Sequence, residues 1–379
     1  MKVLIISRGF PDDIDPIYGN FESDQAHALS EIGHEVVVMC VDRRFHVSKR
    51  RKLGISCYSD GNVKVYKIFL FPLPINICIR LFNVISVVLG KVLYHRIVKD
   101  WGVPDIIHSH YLFMLPLALS ISRKCNIPLV ATEHWSRMSD EGINKSIKRV
   151  ASRCYPNVDA LISVSCGLQN FIKSSFGVDS YVVNNIVDTR HYNFRALKNA
   201  EDTFNFVSIG NLIDRKGFDL LLYAFSKVNS DKLLNLYIIG DGPDKDDLMN
   251  LSVELGISDK VFFMGKRERH EIAAIFDTCH VFVLPSRSET FGVVYIEAMA
   301  NGLPVIATRC GGPETFITPQ DGLLVDVDDE EGLKMSIEEI INSYKTYDSY
   351  DISLRCMAKF SSEVIGKQIH NIYKQLVKK

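Results

Sequence analysis

Short β-branched runs alternate with helical patterns along this chain, and the series is played twice. Val3–Ser7 leads through a long loop to a helical pattern near Glu22–Ile32, where Ala26, Leu29 and Ile32 share one face. Gly33-His34 punctuates, and Glu35–Cys40, Asp105–His108, Leu129–Thr132 and Ala160–Val164 read as further strands. Around residues 186–202 the pattern lapses into polar residues that look like a linker. It restarts with a strand at Phe204–Ile209 and a helix centred on Phe218–Phe225. Strands at Leu236–Ile239, Val261–Phe263, Val281–Leu284, Val305–Ala307 and Gly322–Val325 follow, with a helix in Lys245–Leu255. Parallel neighbours need a crossover, so strands alternating with helices predict βαβ units and parallel sheets. The α/β pattern therefore divides into two halves, 1–187 and 203–360. Ligands of such sheets sit beyond the carboxyl ends of the strands, and two facing sheets would put a ligand in the cleft between domains.

The length of 379 residues suits two domains. Lys+Arg of 44 against Asp+Glu of 45 gives a net charge of −1, which argues against a nucleic-acid partner. Nine cysteines are scattered with no Cys-x-x-Cys pair, which predicts neither a disulfide framework nor a thiol metal site and points to a reducing compartment. The opening Met-Lys-Val-Leu-Ile-Ile-Ser is too short an apolar run for a signal peptide and reads as a buried strand. Phe69–Leu93 is the most apolar stretch, but Arg80 splits it, so no membrane span is expected. From Phe69 to Lys99 it also carries Arg80, Lys91, His95, Arg96 and Lys99, which suits either peripheral contact with an anionic membrane or a core helix with a basic end. A soluble, cytoplasmic protein is expected, with possible contact to the cytoplasmic membrane face through 69–99.

Three strand–loop–helix units in the second half carry candidate chemistry. Phe204–Gly210 runs into Asn211-Leu-Ile-Asp-Arg215-Lys216-Gly217. Two cations at a helix N-terminus can grip a diphosphate; they would also suit a solvated loop. Tyr237-Ile-Ile-Gly240-Asp241-Gly242-Pro243 lacks the third glycine of a dinucleotide fingerprint and reads as a structural turn. The third unit is Val281-Phe-Val-Leu-Pro285-Ser-Arg-Ser-Glu289-Thr-Phe291-Gly292-Val-Val-Tyr-Ile-Glu297-Ala-Met-Ala-Asn-Gly302. A strand ends at Pro285, Glu289 lies in a loop, and a helix from about Gly292 to Ala300 holds Glu297. A carboxylate on so apolar an element is costly unless hydrogen-bonded. Sugar hydroxyls are suitable donors; a dipole-compensating Glu289 and a salt-bridged Glu297 are the structural alternatives.

In this third unit the spacing Glu-x7-Glu resembles the retaining group 1 glycosyltransferases (family GT4). Ser208–Leu221, Ile238–Pro243 and Gly311-Gly-Pro-Glu314 are similar to further segments of that family. The resemblance is dense over 204–326. It implies the GT-B architecture, two facing Rossmann-like domains around an interdomain cleft, with 361–379 a C-terminal helix packing back on the first domain. It further implies that Glu297 bonds the ribose of a nucleotide-sugar donor and Glu289 the sugar hydroxyls. The amides near Phe291 and Gly292 would hold diphosphate or sugar. Arg215 and Lys216 would neutralise the leaving diphosphate, in a segment that includes Gly210 and Asn211. Many relatives carry arginine where this chain has Asn211. In the first half, the loop of Gly19 and Asn20 would approach the donor phosphates through its amides, and His134, in Thr132-Glu-His-Trp135, resembles the family's histidine near the anomeric carbon. His108 and His110, at another strand end, are assigned acceptor-side contacts. They could suggest a metal, but no third ligand is evident.

The function expected is retaining transfer of a sugar from a UDP- or GDP-sugar to a glycan or lipid-linked saccharide, in cell-envelope or exported polysaccharide synthesis. No cofactor and no required metal are expected. Asp244/Asp246 and Asp326/Asp328 form Asp-x-Asp pairs, which read here as helix N-terminal caps. The alternatives are a nucleotide-sugar 2-epimerase of the same architecture, a nicotinamide oxidoreductase, and an idle sugar-nucleotide binding protein.

Overall fold

A computed structural model describes residues 1–42, 54–69, 79–134, 145–192, 194 and 202–377. Cys78, Trp135, residues 70–78 of the stretch 69–99, and linker residues 193 and 195–201 lie outside the described residues. The chain forms two compact units, Met1–Ile186 with Ser362–Lys379, and Val187–Ser361.

The first unit runs β1 (Lys2–Ser7), α1 (Asn20–Glu31), β2 (Glu35–Asp42), β3 (Gly54–Asp60), β4 (Val63–Phe69), α2 (Ile79–Trp101), β5 (Ile106–His110), α3 (Leu115–Cys125), β6 (Leu129–Glu133), α4 (Lys145–Cys154), β7 (Ala160–Ser163), α5 (Cys166–Phe176) and β8 (Tyr181–Val182). Its eight-stranded sheet has the order β3-β4-β2-β1-β5-β6-β7-β8, and every pairing is parallel except β3 with β4. Val3, Leu4, Ile5 and Ile6 of β1 are all fully buried. Helices cover both faces of a parallel sheet, so its central strands read as unbroken apolar runs rather than alternating ones.

The second unit runs β9 (Thr203–Ile209), α6 (Phe218–Ser226), β10 (Leu233–Ile239), α7 (Lys245–Glu254), β11 (Val261–Gly265), α8 (Arg269–Phe276), β12 (Val281–Leu284), α9 (Val293–Ala300), β13 (Val305–Thr308), β14 (Gly322–Val325), α10 (Glu330–Ser343) and α11 (Ser349–Phe360). Its all-parallel sheet has the order β11-β10-β9-β12-β13-β14.

The last helix, α12 (Ser362–Val377), belongs to the first unit. Ile365, Ile369, Ile372 and Tyr373 join one apolar cluster with Val3 and Ile5 of β1 and Ala26, Ala28 and Leu29 of α1. A methyl on Gly366 would come within 3.0 Å of the Ala28 carbonyl, so the absence of a side chain lets the two helices cross closely.

In each unit the strand order reverses beside the first strand. The reversal falls between β1 and β5 in one and between β9 and β12 in the other. Loops leaving the carboxyl ends of such a pair diverge to opposite faces and open a crevice, which is where ligands of doubly wound sheets bind.

Candidate functional site

At the β9/β12 reversal two loops meet. The first, Gly210–Gly217, ends in a short helical turn, Asp214–Lys216, and Gly217 at φ 66°. A side chain on Gly217 would lie 2.1 Å from the Pro285 carbonyl, so only glycine lets this loop press against the one after β12. The Arg287 N–H donates to the Arg215 carbonyl at 2.8 Å. Side chains then lock across the seam. Lys216 Nζ pairs with Glu289 Oε1, which also accepts from Ser286 Oγ at 3.0 Å. Arg215 reaches the Ser288 carbonyl at 3.5 Å. Lys216 and Glu289 side chains keep 13% and 8% exposure, so the pair is largely desolvated.

Behind the loop, Gly292 adopts φ 93° and starts α9, with Phe291 buried against Phe316 and Phe360. Tyr295 Oη donates to the Leu284 carbonyl at 2.6 Å, which ties α9 to the end of β12. Glu297 is buried in the second turn of α9, and its carbonyl accepts from Asn301 Nδ2 at 2.8 Å. Gly302, at φ 83°, ends the helix. Gly210 follows β9 directly and Asn211 is exposed. The structure thus brings Arg215, Lys216 and Glu289 together and sets Gly292 and Glu297 on the helix that follows. Burial pushes the Cys310 thiol up to about 11, which makes it no nucleophile at neutral pH.

The β1/β5 reversal carries a buried polar cluster. Gly19, at φ 93°, caps α1; a side chain there would strike the backbone of Gly9 at 2.5 Å. Asn20 is the first residue of α1. His110, which ends β5, bonds through Nδ1 to His134 Nε2 at 3.1 Å, and His134 Nδ1 bonds Asn185 Oδ1 at 3.1 Å. Asn185 Oδ1 can only accept, so His134 carries its proton on Nδ1 and His110 donates from Nδ1. His110 Nε2 is then an acceptor, and it has no hydrogen-bond partner among the described residues. The rings of Phe21 and His110 lie nearly parallel to that of His134, with centroids at 5.4 and 5.3 Å. Burial holds His134 down to about 3, and His110 well below its ordinary value, so both rings are neutral.

His108 departs from expectation. It is fully buried, with Nδ1 bonded to Tyr373 Oη and Nε2 to Thr132 Oγ1, both at 2.6 Å. Neither nitrogen is open to an acceptor, so His108 joins β5, β6 and α12 as part of the core. The Asp-x-Asp reading is also corrected. Asp244 stands at the start of α7 but makes no capping bond, Asp326 pairs with Arg309 and Asp328 with Arg287. It is Asp329 that caps α10, accepting from the Gly332 N–H at 2.9 Å. Among the described residues no group of three or more His, Cys, Asp or Glu is placed to hold a metal ion.

Sequence reading passed over two features of the first unit. Arg8 follows β1 directly; its guanidinium lies 3.7 Å from the centroid of the Tyr111 ring and its Nε is 3.6 Å from Glu22 Oε1. Glu22 is fully buried in the first turn of α1, and burial raises it to about 7 against the opposing pull of Arg8. The position of Arg8 at a strand's carboxyl end was the available signal. Nothing in the sequence marks Glu22 as buried.

A family model described as "Glycosyl transferases group 1" matches residues 190–353, and one described as "Glycosyltransferase Family 4" matches residues 23–191. An uncharacterized glycosyltransferase of Methanocaldococcus jannaschii is 32% identical over 288 residues, covering 74% of this chain and 78% of that protein. The chain belongs to the group 1 glycosyltransferases of the GT4 type. The lipopolysaccharide core biosynthesis glycosyltransferase LpsE of Rhizobium meliloti is 37% identical over 145 residues, 37% of this chain and 41% of LpsE. Among solved structures, sucrose-phosphate synthase from Thermosynechococcus elongatus matches with TM-score 0.79 at 19% identity, over 99% of this chain and 98% of that one. Anabaena HepE in complex with UDP matches with TM-score 0.75 at 18% identity, over 99% and 100%. The fold is GT-B, built from two Rossmann-like units, and the protein is a glycosyltransferase.

Proposed function

We propose that this glycosyltransferase is a retaining enzyme that moves a sugar from a UDP- or GDP-sugar to a glycan or lipid-linked saccharide in cell-envelope or exported polysaccharide assembly. The observation that carries the reading is the desolvated Lys216–Glu289 pair beside Arg215 at the β9/β12 reversal. It sets a sugar-hydroxyl acceptor next to two diphosphate cations. When the donor arrives, Lys216 turns with Arg215 to the diphosphate, and the Glu289 carboxylate is released to accept from sugar hydroxyls. Glu297 bonds the ribose, while the amides at Phe291 and Gly292 and the Gly210–Asn211 segment line the diphosphate. In the first unit the amides of Gly19 and Asn20 approach the phosphates and His134 contacts the sugar or phosphate. His110, whose buried Nε2 lacks a partner among the described residues, is kept for the acceptor side; His108 is withdrawn from that role.

The anomeric carbon–phosphate bond breaks as the acceptor oxygen bonds to that carbon on the same face. The acceptor's hydroxyl proton passes to the departing diphosphate. Cations already turned to the diphosphate on donor binding, and helix N-termini, stabilise that charge at the moment of reaction, which is the electrostatic share usually largest in such catalysis. We assign no metal to this step. UDP heads the candidates because HepE was solved with UDP, and the envelope role follows the name of LpsE.

Melting curves with UDP, GDP, ADP and NAD, without added metal, test the donor. A ligand at about 100 times its Kd adds roughly 2.7 kcal/mol. UDP or GDP should raise Tm clearly. A shift with NAD alone, or with none of the four, overturns the reading, and acceptor-independent conversion of the donor sugar would mark an epimerase instead.

We also propose that α2 rests on the membrane surface. Val88, Val92, His95, Arg96 and Lys99 recur along one exposed face of it, apolar residues first and basic ones after. No helix among the described residues is long and apolar enough to cross a membrane. Sedimentation with anionic vesicles should be lost in an Arg96→Glu/Lys99→Glu variant; absence of wild-type binding removes the proposal.

A further inference from the structure

One cation beside the candidate site is held by three carboxylates. Arg287 donates from Nε to Asp328 Oδ1 at 2.7 Å, and from its two terminal nitrogens to Asp219 Oδ1 and Oδ2 at 3.0 and 2.8 Å. A further contact reaches Asp214 Oδ1 at 3.1 Å, together with the Asp214 carbonyl. Its backbone N–H is the one bonded to the Arg215 carbonyl. A planar guanidinium suits this task, because its donors leave in a rigid fork that grips one carboxylate with two bonds while its Nε serves another. The three carboxylates come from three places: the turn that holds Arg215 and Lys216, the first turn of α6, and the turn before α10.

The cluster has an electrical consequence. Three carboxylates against one guanidinium lie next to the two cations assigned to a diphosphate. Arg287 offsets one of those three charges; without it all three would face the anion's seat, and the Asp214–Lys216 turn would lose its side-chain tether. Burial alone would raise the Asp219 carboxyl; the Arg287 guanidinium overrides this and holds it below its ordinary value.

Resting on the donor site proposed above, we propose that Arg287 is a positioning residue for the donor's diphosphate. It offsets one of the three charges of the Asp214/Asp219/Asp328 cluster and fixes the turn that presents Arg215 and Lys216, with its own donors committed to those carboxylates.

Calorimetric titration of the full chain with UDP, and with GDP, is the test. Arg287→Gln should weaken nucleoside diphosphate binding roughly 10- to 100-fold, the range of a lost charge-assisted contact. The loss should grow at low salt, where unneutralised carboxylates repel the ligand over a longer distance. The triple variant Arg287→Gln/Asp219→Asn/Asp328→Asn should recover most of the affinity, because Asp214 alone of the three carboxylates then remains charged. A purely architectural role predicts no such recovery and no added salt dependence, and either result overturns the proposal. Should Arg287→Gln fail to fold, Arg287→Lys retains charge but cannot span three carboxylates, and wild-type affinity in that variant also overturns it. Arg309→Gln, which removes an exposed pair with Asp326 at 3.1 Å, is the control and should bind as the wild type does. A wild type that binds neither UDP nor GDP refutes the donor site itself, and with it this inference; a wild type that binds, beside an unaffected Arg287→Gln, refutes the inference alone.

Discussion

Glu289→Ala lowers kcat by roughly 10²- to 10³-fold and shifts Tm by only a few degrees. The kinetic size is that of removing one preorganised polar group from a water-poor site. The structural cost is small because of where the pair sits. Glu289 bonds Lys216 and Ser286 at the mouth of a loop, and the long Lys216 side chain can turn out to water when its partner goes. A loss of about 1 kcal/mol moves Tm by roughly 2–4 °C in a unit of this size. Glu289→Gln keeps an acceptor for Ser286 but loses the charge that pairs with Lys216, so it should fold as the wild type and still turn over slowly. Steady-state rates with the donor that raises Tm, read beside melting curves of the same preparations, separate the two effects. A Glu289→Ala enzyme with normal turnover would end this residue's assignment.

Mild acid destabilises the first unit. His108, His110 and His134 are fully or almost fully buried and neutral, His108 and His134 held at about 3 and His110 well below its ordinary value, in each case chiefly by burial. In the unfolded chain each takes up a proton near pH 6.5. Glu22 works the other way: raised to about 7 in the fold against an ordinary 4.5, it holds a proton that the unfolded chain has lost. Between about pH 6 and 4.5 the unfolded chain therefore binds three protons that the native one lacks and lacks one that it has. The difference is a net two. Stability rises with pH wherever the unfolded state binds more protons, at roughly 1.4 kcal/mol per proton per pH unit. The slope is then about 3 kcal/mol per pH unit, lost as pH falls. His34, held at about 4 first by burial and then by the chain's amino terminus and His370, adds in the same direction. Over that window the loss is roughly 4–5 kcal/mol, a large share of a total stability of roughly 5–15 kcal/mol. Urea unfolding followed at pH 7.5, 6.0 and 5.0 should show the midpoint dropping steeply, and an unchanged midpoint across that range refutes the buried neutral array.

Much of this architecture could be read from the residues. β1 announces itself because a strand covered on both faces has no room for alternation, and Val-Leu-Ile-Ile shows none. Glu289 and Glu297 were conspicuous because carboxylates on an apolar element demand an explanation, and the loop and helix are where that reading put them. The β3–β4 hairpin was missed for the opposite reason. Gly54–Asp60 is an exposed edge strand whose burial does not alternate, so no period-two signal exists to find. His108 failed because proximity in sequence to a strand end fixes a side chain's level in the sheet but not its neighbours. Its partner Tyr373 lies 265 residues away. Arg287 is similar: Asp214, Asp219 and Asp328 become one cluster only when three separate turns converge.

The ownership of α12 bears on how the molecule is made. Residues 1–186 leave the ribosome first, yet the helix that closes their apolar face is translated only after the whole of Val187–Ser361. Until then the groove for Ile365, Ile369, Ile372 and Tyr373 stays open and His108 lacks its tyrosine. The second unit holds all of its own strands and helices in one continuous segment and is free to fold in order of synthesis. The half that emerges first is therefore completed last, and a ribosome that stops before residue 362 damages the opposite end of the protein from the one it truncates.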